Sequence, residues 1–337
     1  MNITVLGGGT WGLTLADLLY LKNNRIKIWE ISKENIENIL SRRGHPRLPA
    51  LKLSDEIEIT DNIEESIEES DIILIVVPAR FVRETLNRIK NLDLSYKTFV
   101  ICSKGIEEDS LMLLSDVAID VLGEAVKKHL TVLSGPSHAE EVSKKLPTTV
   151  VVSGYDISTM KRVQELFITP YFRVYTQKDI KGVEIGASVK NVIAIAAGAS
   201  DGFGFGDNTK AALITRGLTE IARLGLVMDA KQETFSGLAG LGDLVVTCNS
   251  KYSRNWTFGN LLAKGYSIEK ALNEINMIVE GYYTVKAAYQ LSKKFSVYMP
   301  ITDEVYKVLY EGKNPKQAVV DLMTREPKPE NINFQGV

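Results

Sequence analysis

One lysine stands in a stretch that is otherwise almost wholly small and apolar. The segment runs Val183-Glu184-Ile185-Gly186-Ala187-Ser188-Val189-Lys190-Asn191-Val192-Ile193-Ala194-Ile195-Ala196-Ala197-Gly198. Read as a helix, the positions three, four and seven from Lys190 are Val183, Gly186, Ala187, Ile193, Ala194 and Ala197, which places the lysine on an apolar face. Burial disfavours an ammonium, so this side chain is expected to exchange its proton nearer neutrality than a surface lysine does. That would make it a usable proton donor and acceptor. A second reading fits the same residues: a long stem lying along a buried helix with its head reaching water.

A different chemistry is suggested at the other end of the chain. Gly7-Gly8-Gly9-Thr10-Trp11-Gly12 follows an apolar strand pattern and opens an amphipathic one, and Gly7, Gly9 and Gly12 have the G-x-G-x-x-G spacing. In such a loop the first glycine makes the turn, the second lets backbone approach a pyrophosphate, and the third lets helix and strand pack closely. The helix N-terminus then offers unpaired N–H groups to the anion. Glu30 ends the second strand pattern, where a carboxylate accepts from adenosine ribose hydroxyls and repels a 2′-phosphate. An ordinary loop glutamate would look the same.

Several further segments carry polar groups at useful places. Ser103-Lys104-Gly105-Ile106-Glu107 and Ser134-Gly135-Pro136-Ser137-His138-Ala139 each leave the end of a strand pattern, where ligand-binding residues of parallel sheets collect. Lys104 there suits an anion, though a surface lysine is equally compatible. Gly237 to Val246 sets Asp243 among glycines and apolar residues, as a helix N-cap or as a carboxylate orienting Lys190 or a substrate hydroxyl. Ser253-Arg254-Asn255 places a guanidinium between two hydrogen-bonding side chains, a composition suited to phosphate. Gly202-Phe203-Gly204-Phe205-Gly206 reads as a flexible loop, a candidate gate.

The elements that must position these groups fall into two halves. Strand patterns at Ile3–Leu6, Ile26–Glu30, Ile57–Thr60, Ile72–Val77, Thr98–Cys102, Leu130–Leu133, Thr148–Val152 and Phe172–Tyr175 alternate with amphipathic stretches, beginning with a helix over Trp11–Leu21. This implies a doubly wound α/β domain of Rossmann type with a parallel sheet covered on both faces. Strand signals stop near Asp179 to Gly182 and helical ones follow, which predicts an all-α second domain. The expected division is 1–180, 181–326, and a loose proline-bearing tail over 327–337.

Composition narrows the function classes. The chain has 337 residues, 45% hydrophobic and 24% charged, with a net charge of -2, which argues against non-specific binding to nucleic acid or anionic membrane. Only Cys102 and Cys248 are present, so no disulfide framework is expected and a cytoplasmic location fits. His45, His129 and His138 lack metal-site spacing, and no metal is expected. The N-terminus has no signal-peptide pattern, and no stretch is read as long and apolar enough to span a bilayer.

Taken in order, the motifs resemble those of the bacterial NAD(P)-dependent glycerol-3-phosphate dehydrogenases from Ile3 to about Leu322. They are GGGTWG, VVP, SKGIE, SGPSHA, GASVKNVIAIAAG, SDGFGFGDN, ALITRG, GLAGLGDLVVTC, SRN, VEGYYT, MPIT and YEGK. The resemblance implies interconversion of dihydroxyacetone phosphate and sn-glycerol 3-phosphate, supplying phospholipid synthesis. It implies that Lys190 is the proton donor and acceptor. It places Lys104, Gly135, Ser137, Asp243, Ser253, Arg254 and Asn255 against substrate and Thr10, Trp11, Ala139, Ile278 and Glu280 against cofactor, with Lys104 and Arg254 touching both. Many relatives carry Arg or His just beyond strand two, where Ile31 stands here. With Glu30 before it, NADH is the expected preference among NAD(P)H cofactors. Relatives are often dimers, so a homodimer is an implied possibility. An anionic substrate with a carboxylate would also suit Lys104 and Arg254, which keeps a hydroxy-acid dehydrogenase as the rival enzyme and a dinucleotide-binding redox sensor as the rival non-enzyme.

Overall fold

The computed structural model describes residues 1–327, 329 and 330. The tail expected over 327–337 therefore falls mostly outside the described residues. The first half runs β1 Asn2–Leu6, α1 Thr10–Tyr20, β2 Arg25–Trp29, α2 Lys33–Arg42, β3 Glu58–Thr60, α3 Ile63–Glu68, β4 Ile72–Ile75, α4 Val82–Ile89, β5 Thr98–Ile101, α5 Leu114–Leu122, β6 Leu130–Ser134, α6 Ala139–Val142, β7 Thr148–Gly154, α7 Ile157–Phe167 and β8 Phe172–Gln177. The eight strands form one sheet in the order β3-β2-β1-β4-β5-β6-β7-β8. Every residue of β4 and β5 is buried, as the continuous apolar runs at Ile72 and Thr98 require for strands covered on both faces.

From β1 the chain builds outward through β2 to β3, then returns to place β4 on the other side of β1. The β1–β4 boundary is thus the switch point of the sheet, and the loop leaving β1 there is Gly7–Gly9. One expectation needs correction. The sheet is not parallel throughout, because β7 runs antiparallel to β6. The β6–β7 link contains only the single helical turn Ala139–Val142. No crossover helix carries the chain back across the sheet, so β7 turns back alongside β6. The longer α7 then restores a parallel pairing between β7 and β8.

The second half is helical: α8 Ile180–Phe203, α9 Gly206–Val227, α10 Gln232–Phe235, a π-helical turn Leu238–Gly242, α11 Asp243–Asn249, α12 Arg254–Ala263, α13 Ile268–Ile275, α14 Glu280–Lys294, α15 Pro300–Tyr310 and α16 Pro315–Met323. The chain divides into two compact units after Ile180, with one excursion. Gly105–Leu113, which follows Lys104, belongs to the helical unit, and Ile106 and Leu113 join its apolar core.

A second correction concerns α8. It has 24 residues and contains an 18-residue window with a mean hydropathy of 1.2, long and apolar enough to cross a membrane. In this fold 89% of that apolar window is buried inside the protein, where it packs against the other helices of its unit. Its length and apolar composition on all sides are those of a central core helix.

Glu220 on α9 is buried and accepts from the backbone N–H groups of Ile301 and Thr302 at 2.6 and 3.0 Å and from the Thr302 hydroxyl at 2.9 Å. It thereby caps α15 from another helix. Burial is the dominant influence and lifts its carboxyl from an ordinary value of 4.5 to about 7, against the three donors. A raised folded-state pKa means the folded chain holds a proton that the unfolded chain has released. The contribution of Glu220 is therefore complete below pH 4.5 and is lost as pH rises through about 7, a change of about 3 kcal/mol. Glu220→Gln, which cannot titrate, is expected to flatten the fall in Tm between those pH values. An equally steep fall in the variant would contradict it.

Candidate active site

The glycine loop owes its form to two close approaches. Gly7 has φ 122°, a left-handed conformation that side chains resist, and a Cβ there would lie 3.0 Å from the Val77 nitrogen. A Cβ on Gly12 would stand 2.0 Å from the Gly7 carbonyl oxygen, so only glycine lets α1 start against β1. Gly9 is the N-cap of α1 with no side-chain bond to the helix, and nothing lies within 4 Å of where its Cβ would be. Gly9 therefore leaves open space at the start of α1 and brings no side-chain cap to its N–H groups, a cradle that fits a pyrophosphate. Thr10 is buried in that turn, and Trp11 packs half-buried against the core of the unit.

Glu30 is buried beside this loop. Its Oε2 accepts from the Gly8 N–H at 3.0 Å and from the Asn35 side chain at 2.8 Å, and its Oε1 from the Ser32 N–H at 3.0 Å. Ile31 is 56% exposed. In the same unit, Lys104 Nζ donates to the Gly135 carbonyl at 3.1 Å, and the Ser137 hydroxyl donates to that oxygen at 2.9 Å. Gly135 has φ 133° and Ala139 opens α6. The structure thus brings Lys104, Gly135 and Ser137 together around one carbonyl.

In the helical unit Lys190 is enclosed. Its side chain is 6% exposed and that of Asp243 2%, which excludes the reading of a lysine reaching water. The ammonium is hydrogen-bonded to Asp243 Oδ1 and donates to Thr247 Oγ1 at 2.7 Å. The Thr247 hydroxyl in turn donates to the Asp243 carbonyl at 2.5 Å. Asp243 is not a helix cap: Gly242 takes that place, with no side-chain bond. The π-helical turn before it turns the carboxylate toward α8, and a Cβ on Gly186 of α8 would lie 2.6 Å from the Ala239 oxygen in that turn. Next to this cluster, burial pushes the Cys248 thiol up to about 12, with Lys190 pulling it down by less.

The helix opened by Arg254 is locked to the same α8. A Cβ on Gly198 would lie 1.9 Å from the Trp256 carbonyl oxygen, and one on Gly259 would lie 1.9 Å from that of Ile195. The two backbones touch, so the placement of Lys190 relative to Arg254 has little freedom. Ser253 Oγ caps α12 by accepting from the Trp256 N–H at 3.2 Å. The Asn255 amide donates to Asn191 Oδ1 at 2.9 Å and accepts from the Gly281 N–H at 2.8 Å, tying α8, α12 and the start of α14 together. Arg254 Nη1 donates to the Ile278 carbonyl at 2.8 Å, and Glu280 opens α14 two residues later.

Thr247 and Asn191 were not among the residues singled out from the sequence. The i, i+4 spacing of Asp243 and Thr247 was the available signal for the first; nothing local marks the second. The glycine-rich stretch around Phe203 is also not the loop expected. Gly202 and Phe203 end α8 and Gly206 starts α9, leaving Gly204 and Phe205 as the link. Asp201 beside them accepts from the Trp256 indole at 2.7 Å and pairs with Lys210 at 2.8 Å, which pins the end of α8 to α12 and α9.

Comparison with known proteins places these features in a family. The profile described as the NAD-dependent glycerol-3-phosphate dehydrogenase N-terminus matches residues 2–160, and that of the corresponding C-terminus matches 179–320. The chain is 48% identical over 335 residues to glycerol-3-phosphate dehydrogenase [NAD(P)+] of Carboxydothermus hydrogenoformans, covering 99% of each chain. It is 49% identical over 325 residues to that of Bacillus subtilis, covering 96% of this chain and 94% of the other. Among solved structures it is similar to glycerol-3-phosphate dehydrogenase from Coxiella burnetii, with a TM-score of 0.90, 37% identity, and coverage of 96% and 98%.

The enclosed ion pair makes a prediction that holds whatever the reaction. Asp243→Ala leaves a buried ammonium without its carboxylate and is expected to cost about 3–5 kcal/mol in denaturant unfolding. The double variant Lys190→Met with Asp243→Leu should recover most of that loss. A double variant as unstable as Asp243→Ala would show that the pair is not the source of the cost.

Proposed function

The chain belongs to the NAD-dependent glycerol-3-phosphate dehydrogenase family, and we propose that it interconverts dihydroxyacetone phosphate and sn-glycerol 3-phosphate with NAD(P)H, supplying glycerol 3-phosphate for phospholipid synthesis in the cytoplasm. The observation that carries the reading is the enclosed Lys190–Asp243–Thr247 cluster on a helix in backbone contact with the one that Arg254 opens. Residues 1–180 act as the dinucleotide-binding domain and residues 181–326 as the substrate domain. A homodimer is the assembly that the family resemblance suggests.

A reduced nicotinamide supplies the hydride when bound. Lys190 then meets the negative charge that develops on the ketone oxygen and donates a proton to it. In the reverse direction the same amine takes the proton from the alcohol. Asp243 and Thr247 hold the Lys190 amine in a fixed direction, so the proton is delivered without reorganisation at the moment of transfer. Arg254 is braced by the Ile278 carbonyl and presents its guanidinium to the substrate phosphate. Binding energy from this non-reacting end positions the carbonyl. Lys104, Gly135, Ser137, Ser253 and Asn255 complete the substrate contacts. Ser253 and Asn255 do so while capping α12 and bridging α8 to α14.

On the cofactor side, Gly7, Gly9, Thr10, Trp11 and Gly12 hold the pyrophosphate end. Lys104, Ala139, Arg254, Ile278 and Glu280 complete the contacts. Glu30 sits where it accepts from a ribose hydroxyl and repels a 2′-phosphate, and Ile31 offers no cation to that phosphate. NADH is therefore the preferred cofactor.

Purified protein with dihydroxyacetone phosphate and NADH should lose absorbance at 340 nm, and more slowly with NADPH. A higher kcat/KM with NADPH would refute the preference, and no oxidation with either would refute the activity. Lys190→Ala should lose about 10²–10⁴-fold in kcat while still binding NADH, and a near-normal rate would remove Lys190 from the chemistry. Arg254→Ala should lower kcat/KM for dihydroxyacetone phosphate by about 10–100-fold. An unchanged value would mean the phosphate is held elsewhere.

A further inference from the structure

Glu30 is the residue to which cofactor choice is ascribed above, yet its carboxylate is not a free probe at a strand end. It is buried against the glycine loop: a Cβ on Gly8 would lie 2.9 Å from Glu30 Oε2 and 2.8 Å from Ile39 Cδ1. Three donors converge on it. Oε2 takes the Gly8 N–H and the Asn35 side-chain amide, and Oε1 takes the Ser32 N–H. Two of these donors are backbone groups fixed by the loop and by the start of α2. The third, Asn35, is the one supplied by a side chain.

An ionised carboxylate offers about four lone-pair sites, two on each oxygen. The Gly8 and Asn35 bonds fill Oε2, while Oε1 carries one bond and keeps one site open. We propose that Asn35 is a specificity-determining positioning residue, which pins the Glu30 carboxylate so that Oε1 alone accepts a single ribose hydroxyl and the group cannot rotate away from a 2′-phosphate. This rests on the reading that the Gly7–Gly12 loop binds NAD(P)H. Losing Asn35 removes one of the two bonds on Oε2 and leaves Glu30 held by a single backbone N–H on each oxygen. The carboxylate is then held less firmly about its last torsion, which weakens the hydroxyl contact and relieves the repulsion. Both effects move selectivity in the same direction.

The side chain of Asn35 can be changed without disturbing the helix start. The cap of α2 uses the Asn35 backbone N–H, which donates to Ser32 Oγ at 3.2 Å. Asn35→Leu keeps the size and the helix and removes the amide.

The measurement is the dissociation constant of NADH and of NADPH, read from the fluorescence of the bound reduced nicotinamide, with turnover of dihydroxyacetone phosphate followed separately. Asn35→Leu should shift the ratio of the two constants about tenfold toward NADPH, the scale of one hydrogen bond to a charged group. In a Glu30→Gln background the same substitution should shift the ratio by less than about twofold, because the group it positions has been neutralised. The proposal is overturned if Asn35→Leu weakens both cofactors equally or leaves the ratio unchanged. It is also overturned if the shift is as large in the Glu30→Gln background, which would mean that Asn35 does not act through Glu30. Cofactor binding without dihydroxyacetone phosphate turnover would count against the substrate reading alone, and absence of binding by the unaltered protein would overturn both.

Discussion

An ammonium enclosed in a helical core is tolerable only with a partner, and the helical unit is arranged around supplying one to Lys190. Desolvation of a single charge costs about several kcal/mol even after relaxation, more than any one apolar contact returns. Asp243 and Thr247 offset that cost through a carboxylate and a hydroxyl one helical turn apart on α11. To reach α8 from that side, the chain before Asp243 must come close. Gly186 and the π-helical turn at Leu238–Gly242 provide the approach. A tighter α-helical turn would rotate Asp243 away, which gives a physical reason for an uncommon helix form at this place.

The same economy of side chains joins α8 to α12. Gly198 and Gly259 bring two backbones into contact, and backbone contact is far stiffer than contact through flexible side chains. The Asn191–Asn255–Gly281 bonds add direction to that contact. Lys190 and Arg254 are thereby held by a helix pair with almost no play. A mechanism that uses remote binding energy to place a carbonyl needs that stiffness, since small misplacements of a reacting atom cost large factors in rate.

In the sheet-bearing unit the constraint is different. The carboxylate that follows β2 braces the glycine loop through the Gly8 N–H and the start of α2 through the Ser32 N–H. Loop shape and the start of α2 therefore share one side chain. Changing Glu30 removes a bond from the loop and from the start of α2 together, so the two do not vary independently.

Legibility in the sequence tracked the range of the interactions. Period-2 and period-3.6 patterns are local. The strands of the first unit, the helical second unit, the glycine turn and the acidic end of β2 could all be read from neighbours a few residues apart, as could the presence of a lysine on an apolar helix face. The antiparallel β7 could not, because strand direction depends on whether the preceding link can cross the sheet. Nor could the conversion of a glycine-phenylalanine stretch into helix ends, or of a membrane-length apolar helix into a buried one, since both depend on what packs alongside. Composition alone determined that Lys190 would be costly to bury. Only the tertiary structure decided that Asp243, 53 residues away, would be its partner, because the free energy that selects a partner for a buried charge exists only once water has been excluded.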